Sequence, residues 1–155
     1  ATAQNNLRVA LFLAKRERVT RLKLTDEAGK TIDGAGGSPV KFDLSQMYFL
    51  ATGKTWYEAY IQGLLPEDPI LVGIWREYAH ENTWDNVVAA LRRRVGTVIV
   101  PVATDDIDTS AAGSAMTVFR RIKDSHTDFF ARYNSYLPDA TRIGPIKGSQ
   151  WYVDL

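Results

Sequence analysis

Residues 42–58, FDLSQMYFLATGKTWYE, carry the start and stop signals of two short helices. No other stretch constrains the fold as much. Asp43 with Gln46 three residues later is a capping box. The first side chain takes an N–H that a first helical turn leaves unbonded, and the second reaches back to the cap. Phe42 and Met47 occupy the two positions of a hydrophobic staple. Gly53 is placed to end that helix, because glycine adopts the left-handed conformation of a C-terminal cap without a Cβ clash. Thr55 with Glu58 is a second box and opens a helix expected over residues 56–65.

Outward from this segment, the chain reads in both directions by periodicity. Residues 7–13, LRVALFL, suit a strand or the start of a helix running into Lys15. Residues 19–24, VTRLKL, alternate and are expected as a strand. Residues 25–30 have turn chemistry, and residues 30–33 return as the second strand of a hairpin. Residues 34–39, GAGGSP, read as a loop. Asp68 before Pro69 starts a helix to about Glu81, with Ile70, Leu71, Ile74, Trp75 and Tyr78 on its expected inner face. Thr83 caps the next, with Trp84, Val87, Val88, Leu91 and Val95 inward, Arg92, Arg93 and Arg94 outward, and Gly96 at its end.

Residues 97–102, TVIVPV, are a continuous β-branched run, expected as a strand buried on both faces with Pro101 near its end or on an edge. Residues 104–113 read as a loop. From Ser114 to Leu137, Met116, Phe119, Ile122, His126, Phe129, Phe130, Tyr133 and Leu137 recur at helical spacing. That predicts one long helix, or two joined at Ser125, ended by Pro138. Residues 150–155, QWYVDL, read as a terminal strand. The order of elements predicts an α+β fold: one helix-rich domain over residues 1–155. Its small β-sheet is expected from the first hairpin and residues 97–102.

Composition enters as a set of exclusions. The chain is 45% hydrophobic and 24% charged, which is globular usage and argues against disorder. Nineteen basic against eighteen acidic side chains exclude a histone-like basic protein but leave room for a local basic patch. The absence of cysteine removes disulfides, thiolate nucleophiles and thiolate metal sites. No apolar run approaches the length of a membrane span, and no signal peptide is apparent. No membrane association and no cofactor are expected, and an intracellular location is favoured.

Five groups of residues invite a functional reading. Asp105, Asp106 and Asp108 follow the expected strand, where carboxylates on rigid support suit a hard divalent cation. The alternative is a solvated loop. Glu77, His80 and Glu81 share one helix side, as an acid/base pair or two ligands would. A histidine in a last turn is also favoured simply by the helix dipole. Lys15, Arg16, Arg18, Arg21 and Lys23 crowd around one strand with only Glu17 opposing. With Arg92, Arg93 and Arg94, and with Arg120, Arg121 and Lys123, they would form an anion-binding surface if the faces converge. Arg92, Arg93 and Arg94 alone are explained by the dipole of their own helix.

Aromatics are the fourth group. Most are core, and Trp56 and Trp151 are the two considered for a partner surface. Fifth, the glycines around Ser38 suit a phosphate cradle, but no Gly-Lys-Ser/Thr opens a helix after them. Gly53-Lys54-Thr55 does precede an expected helix, yet Tyr48 stands where a P-loop needs its first glycine.

The stretch GKTWYE at residues 53–58, after YFLAT, resembles a short segment of uncharacterised proteins of large DNA viruses. The match covers under twenty residues. It implies a viral or virus-derived source and no activity.

The function expected from these residues is a non-catalytic interaction module. Its partner, protein or nucleic acid, would bind through the basic residues, with Trp56 beside them. The alternative is a metal-dependent hydrolase or nuclease using Asp105, Asp106 and Asp108, with Glu77 and His80.

Overall fold

The cap of the first central helix is built as the local chemistry dictates, with one long-range substitution. In the computed structural model, which describes residues 3–33, 37–99 and 113–155, Asp43 accepts the Gln46 N–H at 3.0 Å. The Gln46 side chain does not reach back. Asn134 takes its place: its Oδ1 accepts the Asp43 N–H at 3.0 Å, and its backbone carbonyl accepts from Gln46 Nε2 at 3.2 Å. Phe42 and Met47 are both buried in the core. Gly53 ends the helix in the left-handed conformation, φ 78°, its N–H bonded to Phe49.

The elements in chain order are α1 (Ala3–Arg16), β1 (Arg21–Thr25), β2 (Gly29–Asp33), β3 (Pro39–Asp43), α2 (Leu44–Thr52), a 3-10 turn (Tyr57–Ala59) and β4 (Leu65–Pro66). They continue with α3 (Pro69–Glu81), α4 (Trp84–Val95), α5 (Ala115–Ser125), α6 (Asp128–Arg132), α7 (Leu137–Thr141) and β5 (Gln150–Asp154). The fold is α+β and helix-rich, with two small antiparallel sheets. α2 packs on α5 and α3, α4 on α5 and α7, and α6 against β3. Val87, Leu91, Val118, Phe119, Ile122, Phe130, Leu137 and Trp151 are among the side chains fully enclosed between them. No helix among the described residues is long and apolar enough to cross a membrane.

Several expected elements differ. Residues 7–13 are helical, part of α1. β1 does not pair with β2. β5 is its partner, and β5 is the central strand in the order β1–β5–β4, while β2 pairs with β3. The chain is drawn out of the first sheet at Asp26, whose N–H donates to Ser149 and whose carbonyl accepts from Gly148. Pro39, read as the end of a loop, begins β3.

The helix expected over residues 56–65 shrinks to the Tyr57–Ala59 turn. Gly63 takes a left-handed φ of 81°, and Leu65 and Pro66 pair with β5, so strand pairing captures the end of the segment. Thr97–Ile99 form no strand. Val98 is buried, and the Ile99 N–H bonds the Tyr133 hydroxyl at 2.9 Å. The remainder of the expected strand lies outside the described residues.

α3 turns a partly different face inward. Of the expected inner residues Trp75 is buried and Tyr78 packs partly buried on the core, but Val72 and Ala79 join them against α2 and α5 while Ile70, Leu71 and Ile74 are exposed. The long helix breaks at Ser125, as the two-helix alternative has it, and His126 caps it. Pro138 does not end a helix. It sits in the first turn of α7, where its missing N–H is no loss.

Candidate interaction surface

The end of α1 is a Schellman motif. The Val19 N–H reaches the Ala14 carbonyl at 2.9 Å, and the Arg18 N–H reaches Lys15 at 3.2 Å. Closing it requires a left-handed residue, and Arg18 supplies it at φ 59°. This turn sets Lys15, Arg16 and Arg18 in solvent at the head of β1, with no ion pair among the described residues.

α1 is apolar on more than one side. Leu7, Leu11 and Ala14 face inward, and Leu11 and Lys15 line a hollow with Ile61, Gln62 and Val153. Val9, Phe12 and Leu13 face outward, with Phe12 64% exposed. The helix contains no acidic residue, while Arg8, Lys15 and Arg16 flank the outer apolar residues. Sequence reasoning missed this surface. Its signal was the helical alternative for residues 7–13, which spreads apolar side chains around the helix and not along one face.

Arg21 and Lys23 stand differently. Arg21 Nε bonds Asp154 at 2.7 Å, and its guanidinium lies 4.2 Å from the Tyr152 ring centre. Lys23 reaches Glu67 at 3.8 Å. Both are already paired, so three of the five expected cations remain there without an ion pair among the described residues.

The other basic residues do not join this group. Arg92, Arg93 and Arg94 are exposed on α4, which packs against α5 and α7, whereas α1 lies by Ile61 and Val153. Arg94 pairs with Asp139. Arg93 borders a polar cleft of about 370 Å³ with Tyr78, Glu81, Asn86, Asp139 and Arg142. On α5, Arg120 bonds the Ala51 carbonyl, and Lys123 pairs with Asp124 beside the Tyr48 ring.

Trp56 is half-buried against Tyr57 and Tyr60, with ring centres 5.1 and 4.8 Å away. Trp151 is buried, its indole N–H donating to Ser149 Oγ at 2.8 Å, and takes no part in a surface. Glu77, His80 and Glu81 are all exposed. Among the described residues no three His, Cys, Asp or Glu side chains gather as metal ligands would. Asp105, Asp106 and Asp108 lie outside the described residues.

One buried group went unread in the sequence. Asp26 is fully buried, and its Oδ2 has no hydrogen-bond partner among the described residues. Burial pushes its carboxyl up to about 6, against the opposing effects of the Ser45 hydroxyl and the Ala28 N–H. Burial also raises the Asp43 carboxyl.

No protein-family model, curated protein or solved structure matches this chain. The resemblance at residues 53–58 rests on its own residues.

Proposed function

We propose that the protein is a non-catalytic interaction module whose partner is an acidic protein segment, bound at the end of α1. One observation carries this reading: Lys15 and Arg16 on α1 and Arg18 just after it, without an ion pair among the described residues, follow the exposed apolar side chains Val9, Phe12 and Leu13 on a helix without acids. Cations alone would suit phosphates, but exposed aliphatic and aromatic groups suit a protein.

The test sets a peptide that carries both Glu and Leu against duplex DNA of equal charge. The peptide binds more tightly, its affinity falls with salt, and Arg16→Glu with Arg18→Glu abolishes it. Tighter binding of the DNA, with a steep salt slope, would replace the protein partner by nucleic acid. Indifference of both ligands to the double variant would remove the basic surface from the account.

A further inference from the structure

Building on that reading, we infer that β1 receives an extended acidic segment of the partner as an added strand along its open edge. Among the described residues β1 is paired on one side only, to β5. The register across the pair steps residue for residue from Arg21↔Asp154 to Thr25↔Gln150, without a bulge. At its two ends the Leu155 N–H donates to the Thr20 carbonyl at 3.0 Å, and the Asp26 N–H donates to the Ser149 carbonyl at 2.8 Å. In an antiparallel ladder alternate residues bond the same neighbour. Thr20, Leu22, Leu24 and Asp26 therefore direct their backbone groups to β5. Arg21, Lys23 and Thr25 direct theirs to the open side, where no described residue bonds them.

Edges of this kind are ordinarily blocked by charged side chains, proline or a bulge. β1 has neither proline nor bulge. Its two cations lean back across the sheet. Arg21 lies over Tyr152 to reach Asp154, and Lys23 spans β5 to Glu67 beyond it. No described residue hydrogen-bonds the backbone of this edge.

The occupant follows from charge and symmetry. Arg16 and Arg18, without an ion pair among the described residues, stand just ahead of Arg21; Arg18 is within about 10 Å of it along the chain. They attract acidic side chains to that end. A second copy is disfavoured, because two β1 strands paired over their whole length about a two-fold set Lys23 opposite Lys23. An added strand places alternate side chains on the Arg21–Lys23 face and the rest on the Leu22–Leu24 face. The segment is thus extended, with acidic and apolar residues alternating, as in strand addition to other sheet edges.

The experiment uses a short capped peptide of alternating Glu and Val and follows amide hydrogen exchange in the labelled protein. The Lys23 and Thr25 amides should slow at least ~10-fold, with those of Leu22 and Leu24 unchanged. A copy of the peptide N-methylated at alternate residues should not bind. Lys23→Pro removes an outward N–H and leaves the bonds to β5 intact, so it should weaken binding at least ~10-fold with the circular dichroism unchanged. Should that variant misfold, the N-methylated peptide still decides. Equal binding of that peptide, protection absent from Lys23 and Thr25, dimerisation of the free protein, or no binding at about millimolar peptide each overturns strand addition. If the Glu–Val peptide binds without edge protection and Arg16→Glu with Arg18→Glu abolishes it, strand addition falls and the basic surface stands.

Discussion

Asp26 and Ser149 clasp the first sheet to the loop before its central strand. The Asp26 N–H donates to the Ser149 carbonyl at 2.8 Å, and the Asp26 side chain is buried beside them with Oδ2 unbonded among the described residues. A carboxyl raised from 3.8 to about 6 keeps its proton in the folded state where the unfolded chain has lost it. Its stabilising contribution is complete below about pH 4 and is lost as the pH rises through about 6. Asp26→Asn should flatten stability between these limits and raise it at neutral pH by up to about 3 kcal/mol. Asp43, also raised, adds slope of the same sign, so the difference between wild type and variant is the measured quantity. Parallel urea-derived stabilities of the two proteins across this range would refute the assignment.

Asn134 completes a cap whose own partner declines the task. Its Oδ1 accepts the Asp43 N–H, and Asp43 in turn accepts from Gln46 and, through Oδ2, from the Lys147 N–H at 3.2 Å. Asn134→Ala strands the Asp43 N–H and should cost about 1–2 kcal/mol. Asn134→Asp keeps the acceptor but sets a second carboxylate at Asp43, so it should be worse at neutral pH and recover in acid. A variant whose stability does not depend on pH differently from wild type would contradict this.

The legibility of the fold follows sequence distance. The caps at Asp43, Gly53, Asp68, Thr83 and Gly96 lie within a few residues of the groups they satisfy, and each forms, although Asp43 lacks the return bond from Gln46. Strand partners do not have this property. VTRLKL is recognisable as a strand, but Arg21 meets Asp154 from 133 positions away, and no local pattern specifies it. The inner face of α3 is legible at Trp75 and Tyr78 but not at Ile70, Leu71 and Ile74, which look like core, whereas α2 and α5 select Val72 and Ala79 instead. Of the candidate surface, Lys15, Arg16 and Arg18 are legible as charge. Which cations are already paired, and which backbone groups of β1 are open, depends on β5 and Glu67. Neither is visible near residue 20.

Arg18 stands where glycine is the preferred residue, at the left-handed position of the motif that ends α1. Arg18→Gly should relieve the clash of its Cβ and raise stability by about 0.5–1 kcal/mol, partly offset by the freer unfolded chain. It also deletes one of the three cations without an ion pair among the described residues. Stability and affinity for an acidic peptide should therefore move in opposite directions. A melting temperature and an affinity that fall together would mean that the arginine supports the turn through its side chain.

Thr55 and Glu58 cap one another in full, and the pair is tied to a neighbouring helix. The Thr55 N–H donates to Glu58 Oε1 at 2.9 Å, and the Glu58 N–H donates to Thr55 Oγ1 at 3.3 Å. Glu58 Oε2 also accepts from Arg76 of α3 at 2.7 Å, and Arg76 donates again to the Gly53 carbonyl at 3.3 Å. Thr55 is fully buried, and Glu58 is 13% exposed. The box thus anchors the end of α2 and the following turn to α3, beyond its role in starting one 3-10 turn. Thr55→Ala should cost about 1 kcal/mol, as a lost cap does. Glu58→Gln should cost more, because Arg76 then keeps its position without a countercharge. In a double-mutant cycle, Glu58→Gln with Arg76→Met should couple by at least about 1 kcal/mol. Additivity within about 0.5 kcal/mol would reduce the contact to an ordinary surface pair and leave the box as a local cap alone.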